Sequence, residues 1–88
     1  MKEVYKIFTL INTEKEAEKV LQDLLTPQEI ETLAERWEVV SHLLDGNLTQ
    51  REIQEKTGAA IATVSRANRM IKYGSGGFQW LYEKIHSL

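Results

Sequence analysis

The side chains best suited to chemistry lie between Leu48 and Lys72, in "LTQREIQEKTGAAIATVSRANRMIK". Thr63, Ser65, Arg66 and Arg69 are small hydroxyls and long cations spaced along one short helical pattern. Such groups hydrogen-bond to phosphate oxygens and to base edges in a major groove. Residues 49–72 carry Arg51, Lys56, Arg66, Arg69 and Lys72 against Glu52 and Glu55, a net charge of +3. The whole chain is at -2, so the rest of it is at -5. A basic patch on an acidic body suffices for phosphate contact, because counterion release depends on the groups that face the duplex. Charges on a solvated helix face give the same count without any ligand.

These residues need two helices to present them. Thr49-Gln50-Arg51-Glu52 has the capping-box pattern, Ile53 is the first apolar anchor, and Gly58 ends the helix after about two turns. Gly58-Ala59-Ala60 then leads into a second helix from Ile61 to Lys72. A glycine at this turn fits a helix-turn-helix, with Ile53, Val64 and Ile71 at its buried positions.

The remaining elements are also helical. Val4, Ile7, Phe8 and Ile11 form one apolar stripe, and Ala17, Val20, Leu21 and Leu24 form another behind a cap at Asn12 or Thr13. Thr26-Pro27-Gln28-Glu29 starts a long helix with a second capping box and a proline whose missing N–H costs nothing there. Ile30, Leu33, Ala34, Trp37, Val40 and Leu44 are its apolar face, and Gly46 is its stop. Tyr73-Gly74-Ser75-Gly76-Gly77 reads as a loop, followed by a closing helix with Phe78, Trp80, Leu81 and Ile85. The expected fold is all-α, about six short helices in one domain over 1–88, with N-terminal helices in 1–25, a long helix over 27–45, a helix-turn-helix over 49–72 and a last helix over 78–87.

Several functions are disfavoured. The chain has no cysteine, which removes disulfides and thiolate metal sites and suits a reducing cytoplasm. No apolar run reaches the roughly 20 residues of a membrane span, and charge interrupts the N-terminus too early for a secretory signal. The expectation is a soluble cytoplasmic protein with no membrane partner. His42 and His86 have no neighbour at ligand spacing, so no metal is expected. No nucleophile–base pair or phosphate loop is apparent, and the GSGG run lacks the strand and lysine of such a loop, so no catalytic residue is assigned. Trp37 and Trp80 suit core or dimer contacts, and Glu14, Glu16 and Glu18 suit a solvated first helical turn. A helical protein-interaction module docking through Ile7, Phe8 or Trp80 is the alternative to a DNA reader.

From Thr26 to Lys72 the chain resembles the tryptophan repressor family. The resemblance lies in "LTP.E...L..R", in "DGNLTQREI" and above all in "GAAIATVSR", which is similar to the family's "GAGIATITR". "QWL" resembles the family's last helix, after a loop one residue shorter. "GAAIATVSRANRMIKYGSGG" is closer to the YerC/YecD-like branch, where "ISR.NR....YG..G" is typical. The resemblance implies an intertwined homodimer that places two reading heads about 34 Å apart on a double-stranded operator. It implies that Ile61, Ala62, Thr63 and Ser65 approach base edges, and that Gln50, Arg51 and Gln54 lie near phosphates or the groove edge, beside Arg66 and Arg69. Gln54 stands where the parent family has a lysine, and Ala60 where it has a glycine, so the parent operator does not carry over.

The resemblance also implies an effector pocket. In the parent family an indole lies between two arginines while a threonine helps hold its carboxylate, and Arg36, Arg66 and Thr26 match those positions. Without the family, Arg36 reads as a surface cation paired with Glu29 or Glu35. Ala67 replaces a pocket glycine and Met70 a serine, so a methyl intrudes and a flexible thioether partly fills the ring's space. The resulting expectation is a transcriptional repressor that does not depend on L-tryptophan, with another amino acid or aromatic acid as a possible corepressor. A tryptophan-dependent repressor is the alternative.

Overall fold

The computed structural model describes residues 2–88. Six helices follow one another: α1 (Lys2–Thr9), α2 (Glu14–Leu24), α3 (Pro27–Asp45), α4 (Gln50–Thr57), α5 (Ile61–Tyr73) and α6 (Gly77–His86). No strand occurs among the described residues.

Side-chain caps set where helices start. The Thr13 hydroxyl accepts from the Glu16 N–H at 3.1 Å, and the Glu16 carboxylate accepts from the Asn12 N–H at 2.9 Å. Thr26 and Glu29 make the same exchange at 3.1 and 2.9 Å ahead of α3, and Thr49 and Glu52 repeat it ahead of α4. Each box satisfies two amides that a helix start leaves without partners. Glycines set two of the stops, since Gly46 at φ 73° and Gly58 at φ 75° take the left-handed conformation.

The bonds to the Thr49 backbone and then to its hydroxyl hold the Glu52 carboxyl below the usual range. A carboxyl with a lowered folded pKa stabilises α4 above its unfolded pKa of about 4.3, and the contribution disappears as pH falls through the lower folded value. Acid should therefore loosen α4, seen as faster amide exchange over Gln50–Thr57 below about pH 4. Thr49→Ala should cost about 1 kcal/mol near neutral pH, and Glu52→Gln, which has no carboxyl to titrate, should abolish the acid step. An unchanged acid step in E52Q would place its origin elsewhere.

Packing divides the chain into two compact units, one through Thr32 and one from Leu33 to Leu88. In the first, neither α1 nor α2 buries a side chain. Val4, Ile7 and Phe8 are exposed, while Ile11, Ala17, Val20 and Leu21 are half-buried.

The second unit has the core: Val39, Val40, Ile53, Ala59, Val64 and Ala67, flanked by Trp37, Leu43, Leu44, Leu48, Ile71 and Phe78. The apolar face expected of α3 is thereby corrected. Val39, absent from that stripe, is fully buried, whereas Leu33 is 47% exposed and Ala34 is exposed. Burial concentrates in the C-terminal half of α3, where its side chains join those of α4 and α5 in one cluster.

Two polar links hold α6. Gln79 Nε2 donates to the Ile71 carbonyl at 2.7 Å, and the Tyr82 hydroxyl donates to the Asp45 carboxylate at the end of α3. That bond, then burial and the Asp45 charge, raise the Tyr82 pKa, so the phenol keeps its proton past the usual point. The His86 ring lies 4.0 Å from the Tyr82 ring, and its Nδ1 is 2.8 Å from the Tyr82 carbonyl. His86, the last residue of α6, is thus engaged. Trp37 and Phe78 meet edge to face, with centroids 6.5 Å apart.

Candidate DNA interface and effector cavity

The α4–turn–α5 segment presents its side chains from a rigid base. Ile53, Ala59, Val64 and Ala67 are buried, which fixes how the two helices face outward. On α4, Gln50 and Arg51 are exposed and Gln54 is half-buried. Arg51 Nε lies 3.4 Å from the Glu55 carboxylate, both well exposed. Such a pair contributes little in water, so a phosphate can displace Glu55.

On α5, Ile61, Ala62, Arg66 and Arg69 are exposed, while Thr63 and Ser65 are half-buried. Ala60 precedes the helix and supplies no side-chain cap. Ile61 is 57% exposed at the leading end of α5, an apolar side chain turned outward from the first turn.

A cavity of about 430 Å³ lies in the second unit. Arg36 and Val40 come from α3, Ala62, Thr63, Arg66, Ala67 and Met70 from α5, and Gly74 to Phe78 from the loop and the start of α6. The structure thus brings together Arg36, Arg66, Ala67 and Met70. Met70 forms part of the wall. Thr26 belongs to the first unit, where its hydroxyl accepts the Glu29 N–H. Ala62, Thr63 and Arg66, expected at the DNA, line the cavity as well. Arg36 forms no ion pair among the described residues, neither with Glu29 nor with Glu35; the pairs there are Glu38–His42 and Arg51–Glu55.

Sequence reasoning did not place Val40, Gly74, Ser75, Gly76, Gly77 and Phe78 at this cavity. The available signal was the GSGG run, whose glycines keep side chains away from a space bordered by two arginines. Among the described residues no cluster of histidine, aspartate and glutamate could hold a metal, and no helix is long and apolar enough to cross a membrane.

The family model of the Trp repressor protein matches residues 1–85. The chain belongs to the Trp repressor family. YerC of Bacillus subtilis (strain 168) is 36% identical over 87 residues, covering 96% of this chain and 83% of YerC. That likeness agrees with the YerC-like motif of α5. A Trp operon repressor homolog of Haemophilus influenzae (strain PittEE) is 37% identical over 73 residues, covering 82% of this chain and 72% of the homolog. The crystal structure of a TrpR like protein from Eubacterium eligens ATCC 27750 superposes with a TM-score of 0.85 at 33% identity, over 99% of this chain and 89% of that one. A Staphylococcus aureus structure with a TM-score of 0.86 at 24% identity, over 97% and 84% of the two chains, shows the same fold. Membership of the Trp repressor family makes the chain a DNA-binding transcription regulator in class, within a family of repressors and not of enzymes.

Proposed function

We propose that the protein is a homodimeric cytoplasmic repressor that reads a near-palindromic operator with α5 in the major groove, under the control of a small molecule other than L-tryptophan. The observation that carries the reading is Ile61, exposed at the leading end of a helix whose opposite side is fixed in the core. An outward isoleucine beside Ala62 and Thr63 suits thymine methyls, and Arg66 and Arg69 on the next turns suit phosphates. The dimer is supported by the first unit, whose Val4, Ile7 and Phe8 stay exposed in the single chain. Interlocking two copies would give those stripes a shared core. Control by a ligand is supported by the cavity, because Thr63 and Arg66 belong both to its wall and to the reading helix. Ala67 and Met70, in place of the parent's glycine and serine, argue against an indole ring.

The deciding experiment is selection of sites from a random duplex pool at near-physiological salt, with and without L-tryptophan. A near-palindrome should emerge from both pools. Enrichment only with tryptophan would establish a tryptophan-dependent repressor, and enrichment in neither, together with no salt-sensitive residual binding to duplex, would overturn the DNA reading.

Roles within the interface are separable by salt. Arg51→Ala and Arg69→Ala should each weaken binding to all duplexes alike and reduce the slope of log K against log salt by about 0.9. Thr63→Ala should leave the slope unchanged and alter sequence preference, so parallel loss in all three would defeat the assignment. A second reading, docking of a protein partner through α6, draws on Trp80, which is 61% exposed with Lys84 Nζ 5.5 Å from its ring centroid. Binding through that face should vary little with salt, unlike binding to DNA.

A further inference from the structure

We propose that Thr57, the last residue of α4, is a positioning residue for sequence discrimination: its hydroxyl sets the angle at which α5 enters the major groove. The role rests on the DNA reading above and adds to it a residue that need touch no base.

The reading helix differs from its neighbours in how it starts. α2, α3 and α4 each begin behind a threonine whose hydroxyl accepts from a first-turn amide, whereas Ala60, ahead of α5, supplies no side-chain cap. The entry of α5 is therefore fixed by the turn before it. In that turn the Thr57 hydroxyl donates to the Ile53 carbonyl at 2.8 Å and accepts from the Ala59 N–H at 3.2 Å. It is the only partner of that amide among the described residues. Ile53 and Ala59 are 0% and 2% exposed, so one hydroxyl joins two backbone groups of the core on either side of the turn. Gly58, at φ 75°, reverses the chain between them, and its own N–H is used on the Gln54 carbonyl at 2.9 Å.

A hydroxyl suits this place because it donates once and still accepts. Valine has the same branched shape and neither capacity. It would leave the buried Ala59 amide without a partner, a cost that tilting the turn toward water relieves. Ile61, Ala62 and Thr63 are short side chains on the first turn of α5, and a site of this kind tolerates only about 0.5 Å or 10–20° of misplacement. Arg66 and Arg69 are long and can follow a phosphate through a small tilt. A loosened turn therefore costs discrimination between sequences before it costs general affinity.

The test measures affinity of the full chain for two duplexes of equal length: the near-palindrome recovered by selection and a scrambled version of it. Thr57→Val should lower the ratio of the two affinities at least about fivefold, the low end of what one mismatched base pair costs. Affinity for the scrambled duplex and its salt slope should stay as in the wild type. Amide exchange at Ala59 should accelerate without DNA. Thr57→Ser, which keeps the hydroxyl, should restore both the ratio and the protection of Ala59. Thr57→Ala, which removes the hydroxyl without putting a methyl in its place, should behave as the valine variant does and decides the matter if valine prevents folding.

A wild type that binds both duplexes alike would overturn the DNA reading and the role of Thr57 with it. A wild type that discriminates, beside valine and alanine variants that discriminate equally well, would overturn the role alone. Equal weakening on both duplexes would make Thr57 a matter of stability and overturn the proposal. A folded serine variant that fails to recover the ratio would also overturn it.

Discussion

Replacing Ile53 with alanine should destabilise the second unit by about 2–5 kcal/mol, the range for deleting a large buried aliphatic side chain. Ile53 is 0% exposed and is the only member of the core cluster contributed by α4. Its side chain joins Val39 and Val40 of α3 and Val64 and Ala67 of α5 in that cluster. Removing it leaves a cavity and frees α4 and its turn from the long helix. Urea unfolding followed by circular dichroism should show a lower midpoint with an unchanged slope, since the surface exposed on unfolding hardly changes. Duplex affinity should fall with it even at temperatures where the chain remains folded, because the base that orients α5 has loosened. Ile85→Ala, at a 41% exposed position, should cost far less. A similar cost at both positions would mean that the core does not centre on α4.

Gly74→Ala should be the most damaging glycine substitution, at about 1–3 kcal/mol of overpacking. Gly74 closes α5: its N–H donates to the Met70 carbonyl at 2.8 Å, and a Cβ on Gly74 would overlap that same oxygen. The obstacle is backbone, so it cannot rotate away. The last turn of α5 has to open or the loop has to move, which shifts Met70 and the Ile71 carbonyl that receives Gln79. Gly58 contrasts with it. Space around a Cβ there is open, but φ is 75°, so Gly58→Ala meets only the conformational cost of about 1–2 kcal/mol. The two variants should differ in where amide exchange accelerates: G74A over the end of α5 and the start of α6, G58A at the turn before α5. A neutral G74A would show that α5 ends by another route.

That contrast explains what the sequence made legible. Helix starts depend on three or four adjacent residues, so Thr26-Pro27-Gln28-Glu29 and Thr49-Gln50-Arg51-Glu52 could be identified without tertiary information, and both caps form. The left-handed Gly58 was readable for the same local reason. The need for glycine at position 74 was not, because it depends on an overlap created by the fold and not on an unusual φ. Val39 was misplaced because a single helical stripe cannot describe a helix whose C-terminal half is covered over a wider arc. Arg36 and Arg66 are assigned to one pocket through family likeness. Their shared wall with Gly76, Gly77 and Phe78 required the loop's path, which composition alone does not specify.

The bare first unit bears on the protein's economy in the cell. Helices of 8 and 11 residues are shorter than the roughly 12–15 at which isolated helices become even marginal, and neither α1 nor α2 buries a side chain. Their order must be supplied by whatever covers Val4, Ile7 and Phe8. With a second copy as the cover, the protein acts as its own stabilising ligand, and mass action governs its folding. Apparent melting temperature then rises with concentration, and dilution promotes unfolding as well as dissociation. The rate of synthesis would set both the number of repressor molecules and the fraction of them that survives proteolysis, giving a threshold in dosage that no ligand or operator has to provide.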